Sequence, residues 1–306
     1  MNEHEIMFLP PGVGEEFAEG STLGFGYVTA DDVRSLLIPR SIDAHKGIYG
    51  HALLICGSRG MSGAAALSVG AALRSGCGLV TIHLPESERF PVAANFPSAL
   101  YSLDDGPFFT SMPCDMSKYS VVGVGCGLGV HEQTAFALGE LLEYCTAVSM
   151  PMVVDADALN LIAADSGLRR SVPRGSVLTP HLGELRRLVG EWSSEEHKID
   201  LASALAAEMD SIIVVKGPNT AIFDCGRSVV FNSTGNSGMA KGGSGDVLTG
   251  FITGLLARGY DPYSGAVLGV YLHGLAGDKA MEYFGAEAMN SGDIIEFLPE
   301  AWKEIE

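Results

Sequence analysis

Positive charge is scarce in this chain. Only 19 Lys and Arg stand against 37 Asp and Glu over 306 residues, which leaves a net charge of -18. Nucleic acids and anionic membrane surfaces are recognised through dense Lys and Arg patches. No basic run exists here, so neither nucleic acid nor membrane is an expected partner. Long apolar stretches are also missing: no segment offers the ~18 uninterrupted apolar residues that cross a bilayer. Residues 1 to 20 carry Glu3, Glu5, Glu15, Glu16 and Glu19 without an apolar signal core, which argues against secretion. The six cysteines form no CxxC pair and no Cys/His cluster, which argues against a thiolate metal site or a disulfide scaffold. Cys56, Cys77, Cys114, Cys126, Cys145 and Cys225 are therefore expected as buried free thiols of a cytoplasmic protein.

Apolar sequence and glycine are plentiful. A hydrophobic share of 47% supports a continuous core, and 39 glycines cluster between apolar runs, where they mark tight turns and ligand-binding loops. Residues 1–26, with Pro10-Pro11 and little periodicity, read as an extended or partly ordered arm, and residues 27–306 as a single domain. An amphipathic piece follows over 27–39, with Thr29 or Asp31 as its helix cap. Strands are then expected near 51–56, 79–84, 119–124, 151–155, 175–179 and 211–216. Helices are expected near 63–75, 131–144, 183–190 and 195–208. This alternation predicts an α/β fold, a mostly parallel central sheet with helices on both faces. A hairpin over 220–224 and 228–232 and two helices near 245–258 and 263–282 complete the reading.

The sharpest signal is the segment from Asn236 to Asp246, Asn-Ser-Gly-Met-Ala-Lys-Gly-Gly-Ser-Gly-Asp, which ends where an apolar helix begins. Successive backbone N–H groups of Gly242, Gly243 and Gly245 can cradle an anion, and the helix dipole favours phosphate oxygens there. The plainer alternative is a glycine turn whose Asp246 caps the helix. The segment is neither a Walker A loop nor a dinucleotide-binding GxGxxG placed after the first strand. With so few cations in the chain, an anionic nucleotide calls for local lysines, backbone amides and Mg2+.

Lys216, at the end of an apolar run and followed by Gly217, Pro218, Asn219 and Thr220, is placed at a strand's carboxyl end, where ligands bind in open α/β sheets. Asp155, Asp157 and Asn160 follow another strand and offer oxygen ligands for substrate or hydrated magnesium, or else simply cap a helix. His181 and Glu184 open a further helix, where a capping box begun by Thr179 or Pro180 competes with a ligand-binding role.

Gly-Gly-Ser-Gly-Asp at the start of a late helix resembles the ribokinase-like superfamily. Seven further stretches stand with it: His45 to His51, Gly57 to Ala64, Arg74 to Val80, Gly125 to Gly129, Asp155 to Asn160, Thr179 to Glu184 and Lys216 to Thr220. Together, over about residues 28 to 298, they resemble the ADP/ATP-dependent NAD(P)H-hydrate dehydratases. That resemblance implies a ribokinase-like three-layer sandwich and a metabolite-repair lyase. The enzyme would dehydrate the S-form of hydrated NADH or NADPH at the expense of ADP or ATP. Asp246 would be the catalytic base, and Ala64, Gly127, His181 and Asp246 would contact the hydrate. Lys216, Gly217, Pro218, Asn219, Thr220, Gly242, Gly243 and Gly245 would hold the nucleotide, with Asp157, Asn160, Glu184 and Asn236 as further candidates.

The resemblance also implies a homo-oligomer, a tetramer among the options, and a separate NAD(P)H-hydrate epimerase as functional partner, because the ~40 residues before His45 are too few for an epimerase domain. Two departures stand out: Leu182 takes a place where proline is common, and Lys241 lies in the glycine loop, where it is expected to add phosphate affinity. A small-molecule kinase of the hydroxyethylthiazole kinase type is the enzymatic alternative, and a nucleotide sensor without turnover the non-enzymatic one. The intact Asp246 speaks against the sensor.

Overall fold

The computed structural model of the chain describes residues 13–14 and 24–306. Most of the expected N-terminal arm lies outside the described residues, and its last two, Phe25 and Gly26, belong to the first strand. The strands are β1 (Phe25–Tyr27), β2 (His51–Ile55), β3 (Leu79–Pro85), β4 (Leu100–Asp104), β5 (Val121–Val124), β6 (Met152–Val154), β7 (Val177–Leu178), β8 (Ile212–Val215), β9 (Ala221–Phe223) and β10 (Val229–Phe231). They form one ten-stranded sheet in the order β1-β10-β9-β8-β7-β6-β5-β2-β3-β4. All neighbours pair in parallel except β9, which runs antiparallel to β8 and β10 and makes the expected hairpin.

Alternation along the strands separates the two faces of the sheet. Val122 and Val124 of β5 and Ile213 and Val215 of β8 join the helices Glu132–Ala147, Ala156–Ala164 and Glu195–Met209 in one core. Val121, Ile212 and Val214 point the other way, into a core shared with the helices Ser244–Arg258, Pro262–Phe284 and Ser291–Ile305. The result is the three-layer sandwich that the alternating pattern predicts.

The helix Ser244–Arg258 is buried from Val247 onward because it is pressed between the sheet and the helix Ser62–Leu73. Its Gly250 and Gly254 make that approach possible, since a Cβ on either would strike Ser68 or Ser75 of that helix or the turn after it.

Thr29 rather than Asp31 caps the helix Ala30–Leu36, in a reciprocal box with Asp32. The expectation of uniformly buried thiols needs correction: Cys56, Cys126 and Cys145 are buried, Cys77 is partly so, and Cys114 and Cys225 lie on exposed loops. Among the described residues no helix is long and apolar enough to cross a membrane.

Strand order positions the site. From β2 the chain winds outward through β3 and β4, then returns to lay β5 on the other side of β2 and winds the opposite way through β6, β7 and β8. The carboxyl ends of β2 and β5 flank the point of reversal, and the cavity lies further along the same carboxyl edge, at the ends of β6, β7 and β8.

Candidate active site

A cavity of about 920 Å³ opens at this carboxyl edge. Its floor is the start of the helix Ser244–Arg258. Gly243 is the N-cap, in the left-handed region at φ 96°, and provides no side-chain cap. The left-handed torsion favours glycine, and a Cβ there would lie 2.5 Å from Leu67 Cδ1 and 3.0 Å from Ser291 Oγ, so a larger residue is strained even where Leu67 gives way. The first amides of a helix lack internal acceptors, and without a capping side chain they remain available to an anion. Asp246 sits in that first turn rather than at the cap, which answers the alternative raised by the sequence.

Lys216 reaches over this turn. It follows β8, and its Nζ donates to Asp155 Oδ1 at 2.7 Å. A Cβ on Gly245 would stand 3.2 Å from the same Nζ, so the ammonium faces the loop helix directly. Burial works to lower the pKa of Lys216, but the carboxylates of Asp155 and Glu184 outweigh it and hold the pKa above its ordinary value. The lysine is therefore a fixed cation. Burial, followed by the charge of Asp155, raises the pKa of Asp246, while the neighbouring Cys126 thiol and Lys216 oppose the rise. A half-buried carboxylate poised above its usual range beside a cation suits a general base.

Asp155 is the buried hub. Besides Lys216, it accepts from Thr249 Oγ1 at 2.6 Å and from the Ala156 amide at 2.8 Å. Ala156 is held at φ 48°, a strained torsion for a non-glycine residue, immediately beside the cavity it lines. Gly125 makes room for this turn: its φ is 129°, and a Cβ would collide with the Asp155 carbonyl oxygen.

His181 is the N-cap of the helix Leu182–Val189, a role expected of Thr179 or Pro180. Its Nδ1 accepts from the Gly183 and Glu184 amides, and Glu184 Oε2 accepts from the His181 amide at 2.8 Å. A parallel bridge sets His181 beside Lys216. Burial, with Asp155, raises the pKa of Glu184.

The remaining candidates divide. Gly217, Pro218, Thr220, Asn236, Gly242, Gly243 and Gly245 line the same cavity. Asn219 does not, although it lies in the same tip, which Thr220 closes by donating to the Gly217 carbonyl. Asn236 ties the loop to Asp278 through its amide nitrogen at 2.8 Å. Ala64 and Gly127 lie beyond Asp246: a Cβ on Gly127 would be 2.9 Å from that of Ala64, and Ser68 donates to the carbonyls of both Ala64 and Asp246. Asp157 accepts from the Gly129 amide, and Asn160 accepts from Arg187, so these two brace the rim.

Lys241 does not serve phosphate in this arrangement. Its Nζ donates to the carbonyls of Ala286, Glu287 and Met289 and pins the loop from behind.

Sequence reasoning passed over Asn232, Thr234 and His273, which also line the cavity. His273 donates from Nε2 to the Ser244 carbonyl at 3.0 Å, and burial drives its pKa down to about 4, so it is neutral. The available signal was a lone histidine in the apolar Pro262–Phe284 helix.

A resident metal finds no cage here. Among the described residues no group of three or more His, Cys, Asp or Glu side chains converges on a cation position. The Asp155 and Asp157 carboxylates already have protein partners.

The sequence model of the NAD(P)H-hydrate dehydratases matches residues 52–300. The chain belongs to that family. It is 38% identical over 289 residues to the bifunctional NAD(P)H-hydrate repair enzyme of Moorella thermoacetica, covering 91% of this chain and 54% of that protein. The chain thus spans about half the length of such bifunctional relatives. The ADP-dependent (S)-NAD(P)H-hydrate dehydratase of Bacillus subtilis is 33% identical over 91% of this chain and 98% of its own. A crystal structure of the Bacillus subtilis ADP/ATP-dependent NAD(P)H-hydrate dehydratase, co-crystallised with ATP and Mg2+, superposes with a TM-score of 0.78 at 30% identity, covering 92% of this chain and 98% of that one. The dehydratase family fold seen here is ribokinase-like.

Proposed function

We propose that this chain repairs nicotinamide nucleotides by dehydrating the S-form of hydrated NADH or NADPH, with ADP or ATP as phosphoryl donor. The observation that carries the reading is the uncapped helix start at Gly243, with Lys216 above it and Asp246, its pKa raised, within it. The amides of that turn and the Lys216 ammonium would receive the terminal phosphate. Gly217, Pro218, Asn219 and Thr220 would hold the rest of the nucleotide, while Ala64, Gly127 and His181 would orient the hydrate across Asp246. Mg2+ would arrive on the nucleotide's own phosphate oxygens, supplying charge neutralisation there.

In this reading Asp246 accepts the proton of the C6 hydroxyl as that oxygen bonds to the terminal phosphorus and the bond to the departing AMP or ADP breaks. The ring nitrogen lone pair then expels phosphate from C6, a proton leaves C5, and the ring double bond returns. The products balance as NAD(P)H, AMP or ADP, and inorganic phosphate. Phosphorylation serves because hydroxide is a poor leaving group and phosphate a good one. An epimerase is proposed as functional partner, since an enzyme for one epimer needs the other converted. A cytoplasmic homo-oligomer completes the proposal.

The test is incubation of the pure protein with hydrated NADH, Mg2+ and either ADP or ATP, following recovery of the near-ultraviolet absorbance of the reduced ring. Recovery with matching phosphate release is expected, and Asp246→Asn should lose at least about a hundredfold in kcat while still binding nucleotide. A stable phosphorylated product without phosphate release would overturn the dehydratase reading in favour of a kinase.

A further inference from the structure

In the dehydratase reading the cavity between Lys216 and Asp246 takes the nucleotide co-substrate, yet a hydrated dinucleotide carries a second adenosine and a pyrophosphate that must rest elsewhere. One path runs from Asp246 past Ala64 and Gly127, which lie outside the lining of that cavity. It ends on three loops that meet at the carboxyl edge, following β2, β4 and β5.

Hydrogen bonds lock those loops to one another. The Arg59 amide donates to the Pro107 carbonyl at 2.7 Å, the Gly57 amide donates to the Cys126 carbonyl at 2.7 Å, and Ser58 Oγ donates to the Gly127 carbonyl at 2.8 Å. On this frame the rings of Phe108 and His131 stack with centroids 4.1 Å apart and an interplanar angle of 15°. Phe108 is half-buried and His131 exposed, so the stacked pair lies at the surface. Met61, in the loop that carries Arg59, is 50% exposed, and a Cβ on Gly127 would lie 3.2 Å from that of Met61. The exposed Arg59 has no side-chain partner among the described residues. In a chain of net charge -18, an uncommitted arginine whose backbone is bonded to the residue before Phe108 suits a pyrophosphate beside a purine.

From this juxtaposition we infer that Phe108 and His131, with Arg59, form a subsite for the adenosine and pyrophosphate half of the dinucleotide. The inference rests on the dehydratase reading for the identity of that dinucleotide. It is separable from that reading, because unhydrated NADH carries the same adenosine half and does no chemistry. Stacking on a ring held in place by its neighbour costs little ordering, and the cation fixes the phosphates beside it.

The experiment measures NADH binding by its fluorescence with the nucleotide site saturated by ADP, and in parallel the KM for hydrated NADH. Phe108→Ala and Arg59→Ala should each weaken NADH binding and raise that KM by about tenfold, with kcat and the KM for ADP nearly unchanged. Phe108→Tyr keeps the ring and should bind NADH as the parent does, which separates loss of the plate from loss of folding.

Parental NADH affinity and KM in both alanine variants would overturn the subsite. So would a change of oligomeric state in Phe108→Ala with NADH affinity intact, which would make the plate a subunit contact. Failure of the parent to dehydrate hydrated NADH, with NADH binding still dependent on Phe108, would overturn the functional reading and support the subsite.

Discussion

Asp246 sits between an acid and a base, and their opposed pulls can be read from outside. Asp155 raises its pKa and Lys216 lowers it. A general base works only when deprotonated, so the rate falls as pH drops through its pKa. At saturating ADP, Asp155→Asn should move the acid limb of the kcat profile to lower pH, and Lys216→Met should move it to higher pH. Shifts in the same direction would dissolve the assigned coupling.

His273 gives a stability signature. Its pKa is depressed from 6.5 to about 4 in the folded state, so the unfolded chain binds a proton that the folded chain does not as pH falls from 6.5. The protein should lose stability over that window, and His273→Gln should flatten the loss, as denaturant midpoints at pH 7 and pH 5 would show. Lys216 and Asp246 were legible from sequence because each stands at the junction of an apolar run and a glycine cluster. Asp155 as hub and Lys241 as a pin were not, because their partners, Thr249 and the carbonyls of 286–289, are distant in the chain.

At the level of elements, the glycine loop functions as a shaped piece whose two central glycines differ. A Cβ on Gly242 meets nothing within 4 Å, whereas one on Gly243 meets Leu67 and Ser291 with φ at 96°. Gly243→Ala should cost about 1–3 kcal/mol and weaken ADP binding by about tenfold, while Gly242→Ala should fold with the parental Tm. Thermal melts and ADP titrations check both.

The parallel strands and the hairpin were legible as apolar runs with breaks. The strand β4 was not, since an edge strand with exposed Leu100 and polar neighbours lacks the clean alternation of a covered one. The helix Ser291–Ile305 was hidden by Pro299, which the helix tolerates inside its span. The helix Ala156–Ala164 was legible only as the one that Asp155 would cap, a role Asp155 does take; its extent was not, because its apolar stripe follows the strand without a glycine break.

For the molecule as a whole, an excess of 18 negative charges on one compact body repels itself. Raising ionic strength from about 0.01 to 0.15 M shortens the screening length to about 8 Å and should raise Tm, an outcome that scanning calorimetry in a salt series would establish. The order of strands has a consequence for synthesis. The centre of the sheet, β2, β5 and β6, is covered on one face by the helix Ser244–Arg258, and among the described residues the early strand β1 pairs only with the late strand β10. A chain emerging from the ribosome therefore makes its central strands long before it makes their cover, and one apolar face stays bare until residues 244–258 have emerged. Such non-local closure slows folding and prolongs the exposure of sticky surface. Nascent chains stalled before residue 244 should be bound by chaperones, and release should follow once the loop helix has cleared the exit tunnel.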